Sequence, residues 1–209
     1  MLSSYIDLSN QTPIAKGGSQ FVYAHPEDAD VLIKTMQPKP NRRRTLFRYD
    51  DWRYDHMRLW QREYSEYIAL LARFGAHFDR LPRYYGFCDT NEGPGYLTEC
   101  LKGANGQMAP TLTALLKDPD VSPNHVARLR VDAGALVDDL RQGHVIFRDL
   151  TAKNIVVTGA DMDRLKLIDG LGTYAILPIR QLSRRINDRS VAKWEARLMA
   201  DIDGLIAAR

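Results

Sequence analysis

The feature that most constrains this chain is an aspartate and an asparagine five residues apart, set between a helix and a strand. The string Phe147-Arg148-Asp149-Leu150-Thr151-Ala152-Lys153-Asn154 follows a segment that opens on Ser122-Pro123 and closes at Gly143. Ser122 supplies an N-cap hydroxyl and Pro123 suits the first helical position. Val126, Leu129, Ala133, Leu136, Val137 and Leu140 recur at helical spacing between them. After the string come two short apolar runs, Ile155-Val156-Val157 and Leu165-Leu167-Ile168, joined by a Gly/Asp turn, and the second ends in Asp169-Gly170. With strand candidates gathered in the first part of the chain and helices later, the class expected is α+β in two lobes.

The first hundred residues read differently. Gln20 to Ala24 and Val31-Leu32-Ile33 are strand candidates, preceded by the turn Gly17-Gly18-Ser19. They predict a small antiparallel sheet with a glycine-containing loop between its first two strands. Pro38 and Pro40 end that pattern, and the basic run Asn41-Arg42-Arg43-Arg44 follows. From about Asp50 to Phe74 the residues Met57, Trp60, Tyr64, Tyr67, Ile68 and Leu71 predict a long helix, with Gly75 at its C-terminal cap. Tyr84 to Phe87 and Tyr96 to Leu101 are strand candidates around turn residues Asn91, Gly93, Pro94 and Gly95. Lys102 to Pro110 reads as a linker, Thr111 to Leu116 as one or two helical turns, and the tail after Ser190 as a last helix on Val191, Trp194, Leu198, Ile202 and Leu205.

The Asp/Asn string matches the catalytic loop H-R-D-L-x-x-x-N of kinases. There the aspartate orients the attacking hydroxyl and accepts its proton, and the asparagine oxygen ligates magnesium. Asp149 takes the first role in this reading and Asn154 the second. Asp169, at the end of an apolar strand, fits the metal-binding aspartate of D-F-G, and one Asp with one Asn suffices for an ion that keeps few protein ligands. Val31-Leu32-Ile33-Lys34 matches V-A-I-K, making Lys34 the lysine on the α/β-phosphates. Glu63 is its candidate ion-pair partner, with Glu66 on almost the same helix face as the alternative. Ala15, Gly17, Gln20 and Val22 fall in register with G-x-G-x-x-G-x-V; Gly17 is the one glycine retained, and Gly18 supplies flexibility beside it. Glu99 to Leu101 would be the hinge whose backbone meets adenine. Each residue alone has an ordinary structural reading, and it is their order along the chain that carries the argument.

Beyond these motifs the chain resembles the YrbL family, the PhoP regulatory network proteins. The resemblance runs through Pro13 to Lys34, including Tyr23-Ala24-His25-Pro26-Glu27-Asp28-Ala29, then Arg62-Glu63-Tyr64 and Leu81-Pro82-Arg83-Tyr84-Tyr85-Gly86. It continues through Gly95-Tyr96, Lys153-Asn154-Ile155, Gly172-Thr173 and Leu177-Pro178-Ile179, so nearly the whole chain is covered. It implies a protein-kinase-like two-lobed fold with a reduced C-terminal helical lobe, about 1–101 forming the sheet-bearing lobe and about 102–209 the helical one. Phosphotransfer is implied more weakly. Phe147 stands where kinases have histidine, Thr151 where they have lysine, and Gly170 where D-F-G has phenylalanine; no A-P-E follows. The forty residues after Asp169 are too few for a full peptide-binding lobe, so a small molecule or lipid headgroup is as good an acceptor as a protein.

Composition narrows the remaining classes. With 44% hydrophobic and 26% charged residues and a net charge of +3, the 209-residue chain is neither disordered nor strongly basic. Two cysteines without C-x-x-C spacing exclude a disulfide scaffold or a zinc knuckle, and the five histidines form no metal motif. No apolar run reaches membrane-spanning length and no leader pattern opens the chain, so the location expected is cytoplasmic. Arg42-Arg43-Arg44 with Arg48, Trp52, Arg53 and Tyr54 could contact phosphate or an anionic partner, but its simpler reading is a solvated loop, and nucleic acid is not favoured. The sequence therefore points to an ATP- and magnesium-dependent phosphotransferase of unknown acceptor. The alternative is a pseudokinase acting as a nucleotide-binding or regulatory module.

Overall fold

The computed structural model describes residues 5–37, 53–173 and 178–208. The arginine run at 42–44, with Arg48 and Trp52, lies outside them, as does Leu177. The described residues form a mixed α+β structure whose contacts divide it into two compact units. One contains the residues up to Tyr64 together with Arg83–Cys100; the other contains Ser65–Pro82 and the residues from Leu101 onward.

The first unit is built on a six-stranded sheet in the order β1-β5-β6-β4-β3-β2. Its strands are β1 (Tyr5–Ile6), β2 (Ala15–Lys16), β3 (Gln20–Ala24), β4 (Val31–Met36), β5 (Tyr84–Thr90) and β6 (Gly93–Glu99). All neighbours are antiparallel except β1, which runs parallel to β5 through Tyr5–Asp89 and Ile6–Thr90. Alternation along the strands separates two faces. Tyr23, Val31, Ile33, Cys88 and Leu97 pack with Ile6 and Leu8 on one. The other carries Tyr96, which stacks on Trp60 of helix α1 (Arg58–Phe74) with ring centroids 5.6 Å apart, and Phe87, whose ring is tilted against Trp60 at 6.0 Å. Gly75, at φ +66°, closes α1 as its cap, its N–H donating to the Leu71 carbonyl at 2.8 Å.

The β5–β6 turn is tighter than the sequence suggests. It consists of Asn91 and Glu92, while Gly93, Pro94 and Gly95 belong to the strand itself. Gly95 is a packing requirement: a Cβ there would lie 2.8 Å from the Cys88 sulfur and 3.0 Å from Ile33 Cγ2. Pro94 lies beyond Gly95, the last β6 residue paired with β4, where a missing N–H is tolerated.

The second unit is mainly helical: α2 (Leu112–Lys117), α3 (Pro123–Gln142), α4 (Ile179–Leu182) and α5 (Arg184–Ala207), with the hairpin β7 (Ile155–Thr158) and β8 (Arg164–Leu167). Ser122 caps α3 by accepting from His125 N, and the six apolar residues of its stripe are its buried residues. α5 begins at Arg184, ahead of Ser190, after which the sequence predicts it. Its first inward side chain is Asn187, fully buried and polar, so the apolar period shows only from Val191. Arg80 joins three parts of this unit, bonding Asp139 at 2.6 Å, Asp132 at 3.0 Å and the Leu165 carbonyl at 3.1 Å. Cys88 and Cys100 are free and buried. Among the described residues no helix is long and apolar enough to cross a membrane.

Candidate functional site

In the sheet-bearing unit, Lys34 sits in the middle of β4, opposite Val22 on one side and Tyr96 on the other. Directly opposed residues project from the same face, so Val22, Lys34 and Tyr96 form a row on the face that Trp60 of α1 covers. Glu63 follows Trp60 by three residues, just under one helical turn, and it is fully buried. Lys34 is only 8% exposed. Burial of a charged side chain is costly unless opposite charge or hydrogen bonds compensate it. Lys34 and Glu63, matched to the V-A-I-K lysine and its ion-pair partner, are thus both buried within this unit.

The glycine pair forms the β2–β3 connection. Gly17 N donates to Gln20 O at 2.9 Å, and the Gln37 side chain donates to Gly17 O at 2.5 Å. A Cβ on Gly18 would meet nothing within 4 Å, and one on Gly17 would make only an ordinary contact with Gln20 O at 3.7 Å. Neither glycine is required by packing among the described residues. Glu99 ends β6 with its carboxylate accepting from Arg83 N at 2.9 Å.

In the other unit Leu101 packs with Ala109 and Val156, and its carbonyl accepts from Ala109 N at 2.8 Å. The predicted acidic and amide residues come together here. Asn154 ends a 3₁₀ turn (Ala152–Asn154), and its Nδ2 donates to Asp149 Oδ2 at 2.8 Å. With its amide donor turned to Asp149, the group Asn154 can offer a cation is its carboxamide oxygen. Ile168 N donates to the Asn154 carbonyl at 2.9 Å, which brings the end of β8 against the same loop. Arg148 N then donates to Gly170 O at 2.8 Å, and Gly172 N to Ile146 O at 2.7 Å. Two strand-like segments thus carry Asp149 and Asp169 side by side.

At Gly170, where the D-F-G pattern would have phenylalanine, the backbone admits only glycine. Its φ is +88°, and a Cβ would approach Asp149 O to 2.7 Å and Asp149 Cβ to 3.2 Å. Asp169 Oδ1 accepts from Gly170 N at 2.5 Å and lies 3.8 Å from an Arg148 guanidinium nitrogen. Thr151 donates its hydroxyl to Asp149 Oδ1 at 3.3 Å, and Lys153 Nζ stands 3.9 Å from Asp149 Oδ2. The Asp149 and Asp169 side chains are 36% and 42% exposed, so solutes can reach both. Among the described residues no group of three or more His, Cys, Asp or Glu could hold a metal. The oxygen donors of Asn154 and Asp169 instead suit a hard cation that keeps most of its ligands from water and phosphate.

Glu66 has a different place from the one its sequence position allowed. It is buried in the helical unit, and Oε1 accepts from Ile146 N at 2.8 Å, just ahead of the Asp149 loop. Burial raises its pKa to about 7, against the lowering effects of the Ile146 bond, Arg73 and Arg180. The partners are eighty residues apart, a pairing without a local sequence signal.

The sequence profile described as PhoP regulatory network protein YrbL matches residues 6–203. The chain belongs to that family. It is similar to the uncharacterized protein YrbL of Escherichia coli strain K12, 24% identical over 181 residues that cover 86% of this chain and 79% of the relative. The uncharacterized YrbL of Shigella flexneri is similar to the same extent. Membership thus covers both units, the strand with Lys34 and the loop with Asp149 alike.

Proposed function

We propose that this YrbL-family chain has a protein-kinase-like fold and acts as an ATP- and magnesium-dependent phosphotransferase. The observation that carries the reading is the pairing of the solvent-open Asp149–Asn154 loop with the segment that carries Asp169, fixed by the Asn154–Asp149 bond, the Arg148–Gly170 backbone bond and the close approach of Gly170 to Asp149. Asp149 would orient the acceptor hydroxyl and take its proton, held in place by Asn154 and Thr151. Asn154 and Asp169 would hold magnesium, which when bound neutralises charge on the phosphates. Lys153, on the open side of Asp149, would add positive charge for the moving phosphoryl group. Lys34 would bind phosphate with Glu63 fixing its direction, and the space above Gly18 would admit the phosphates close to the backbone. Glu99 to Leu101 would supply the adenine contacts. The acceptor chemistry this favours is a hydroxyl small enough to reach Asp149 directly.

Thermal unfolding with ATP, with and without magnesium, tests the binding half of the proposal. A ligand at 100 times its Kd stabilises by about 2.7 kcal/mol, so a metal-dependent rise of several degrees is expected, abolished in Asp169→Ala. Turnover tests the other half: Asp149→Ala should lower ATP consumption by about 100-fold or more while leaving the ATP-dependent rise in melting temperature. Equal turnover in that variant would overturn the catalytic assignment. Stabilisation without any turnover in the unaltered protein would leave the nucleotide-binding module as the function.

A further inference from the structure

The segment from Gly143 to Phe147, which leads into the Asp149 loop, is held by polar side chains from three helices. From α1, Glu66 accepts from Ile146 N at 2.8 Å and Arg73 bonds the Gly143 carbonyl. From α4, Arg180 donates to the Phe147 carbonyl at 2.8 Å and stands 5.9 Å from the centre of the Phe147 ring. From α5, Asn187 donates to Val145 O at 3.2 Å and accepts from Arg180 at 3.0 and 2.9 Å. The His144 ring closes the set at 2.7 Å from the Arg180 carbonyl. Arg73 also reaches the His144 carbonyl at 3.5 Å, while the backbone groups of Val145, Ile146 and Phe147 each meet a different side chain.

We propose that Glu66, Arg180 and Asn187 form a clamp that positions the Asp149 loop through the backbone of Val145, Ile146 and Phe147. Glu66 is its central positioning residue. Phe147, the departure from the kinase pattern, belongs to the clamp, because Arg180 lies beside its ring and bonds its carbonyl. That the positioned loop is catalytic rests on the phosphotransfer reading; that it is positioned by the clamp does not.

Two cations face Glu66, Arg73 on its own helix and Arg180 on α4, and the His144 ring of the clamped segment meets the Arg180 carbonyl. Because Glu66 is easier to protonate in place than in water, opening of the clamp is coupled to pH. The closed form gains most below about pH 4.5, where both forms are protonated, and the gain is lost as pH rises through about 7.

Hydrogen exchange on the full chain, read by mass spectrometry without nucleotide, tests this. In Glu66→Ala the amides of Ile146–Asn154 should exchange at least roughly 10-fold faster, while β5 and β6 keep their rates. Glu66→Gln, which still offers an acceptor oxygen, should restore protection. In the unaltered protein, protection of this segment should fall on the order of 100-fold between pH 4.5 and 7 and level off above; in Glu66→Gln it should stay flat. Unchanged exchange in Glu66→Ala, equal acceleration in β5 and β6, or a Glu66→Gln variant that retains the wild-type pH profile would each overturn the clamp. The last comparison holds even where the alanine variant fails to fold. A protein that shows the clamp response but no ATP turnover would refute phosphotransfer and leave the clamp standing.

Discussion

At the scale of single residues, two glycines separate packing from function. Gly170 has φ +88° and no room for a Cβ beside Asp149, so its identity is fixed by the fold of the loop. Gly170→Ala should cost roughly 1–3 kcal/mol, read by urea unfolding, because an L side chain must move the Asp149 backbone or strain its own. Gly18 lacks both constraints. Gly18→Ala should leave stability within about 0.5 kcal/mol, yet weaken the thermal stabilisation by magnesium–ATP if phosphate approaches that turn. A variant that keeps both its own stability and the full response to nucleotide would remove Gly18 from the binding surface. The sequence offered the two residues on similar terms, as glycines before or after polar neighbours. Only the backbone angle and the nearby atoms distinguish them.

At the scale of elements, legibility followed how local the cause was. The α3 boundaries were readable because Ser122, Pro123 and Gly143 act on adjacent backbone groups, and its six-residue stripe needs one periodicity. Asp149 and Asn154 could be singled out by spacing within one helix-to-strand connection and Asp169 by its place after the next apolar run; the first two bond each other, and Gly170 beside Asp169 pairs with Arg148 beside Asp149. The start of α5 was hidden because Asn187 fills an inward position with a polar group whose reason, the Val145 carbonyl, is forty-two residues away. Glu66 was visible as a candidate but its bond to Ile146 N was hidden for the same reason, and so was Arg80. The Arg80 fork joins two aspartates of α3 to the Leu165 carbonyl of β8, while Asp132 also accepts from Leu165 N at 2.6 Å. Removing the guanidinium takes a partner from the Leu165 carbonyl and from Asp132, which is 21% exposed and keeps the Leu165 N–H, while Asp139, 43% exposed, turns to water. Arg80→Ala should therefore destabilise the helical unit by about 2–3 kcal/mol. Arg80→Lys should recover part of that, since an ammonium keeps charge but loses the planar fork. Denaturant titration followed by helical circular dichroism would measure both.

At the scale of the whole molecule, helix α1 belongs to both units and changes character along its length. Its first turns give Trp60 and Tyr64 to aromatic contacts with Phe87 and Tyr96, and its later turns give Glu66 and Arg73 to the backbone near Gly143–Ile146. Two carboxylates of the helical unit then set opposite pH limits on stability. Burial alone would raise Asp79, but Lys166 and Arg164 outweigh it and hold it below its ordinary 3.8. A depressed pKa contributes stability that is present above 3.8 and lost as pH falls. Glu66, raised from 4.5 to about 7, contributes stability that is full below 4.5 and lost as pH rises through 7. The two windows overlap between about pH 4 and 5, so the thermal midpoint should peak there and not at neutrality. The decline on the alkaline side should amount to roughly 3 kcal/mol by pH 8, since each tenfold change in proton affinity is worth about 1.4 kcal/mol. Glu66→Gln cannot ionise, so it should match the unaltered protein near pH 4.5 and exceed it above about pH 7. Thermal unfolding of both proteins from about pH 4 to 9 would show the curves separate, and parallel curves would mean that Glu66 keeps an ordinary carboxyl inside the fold.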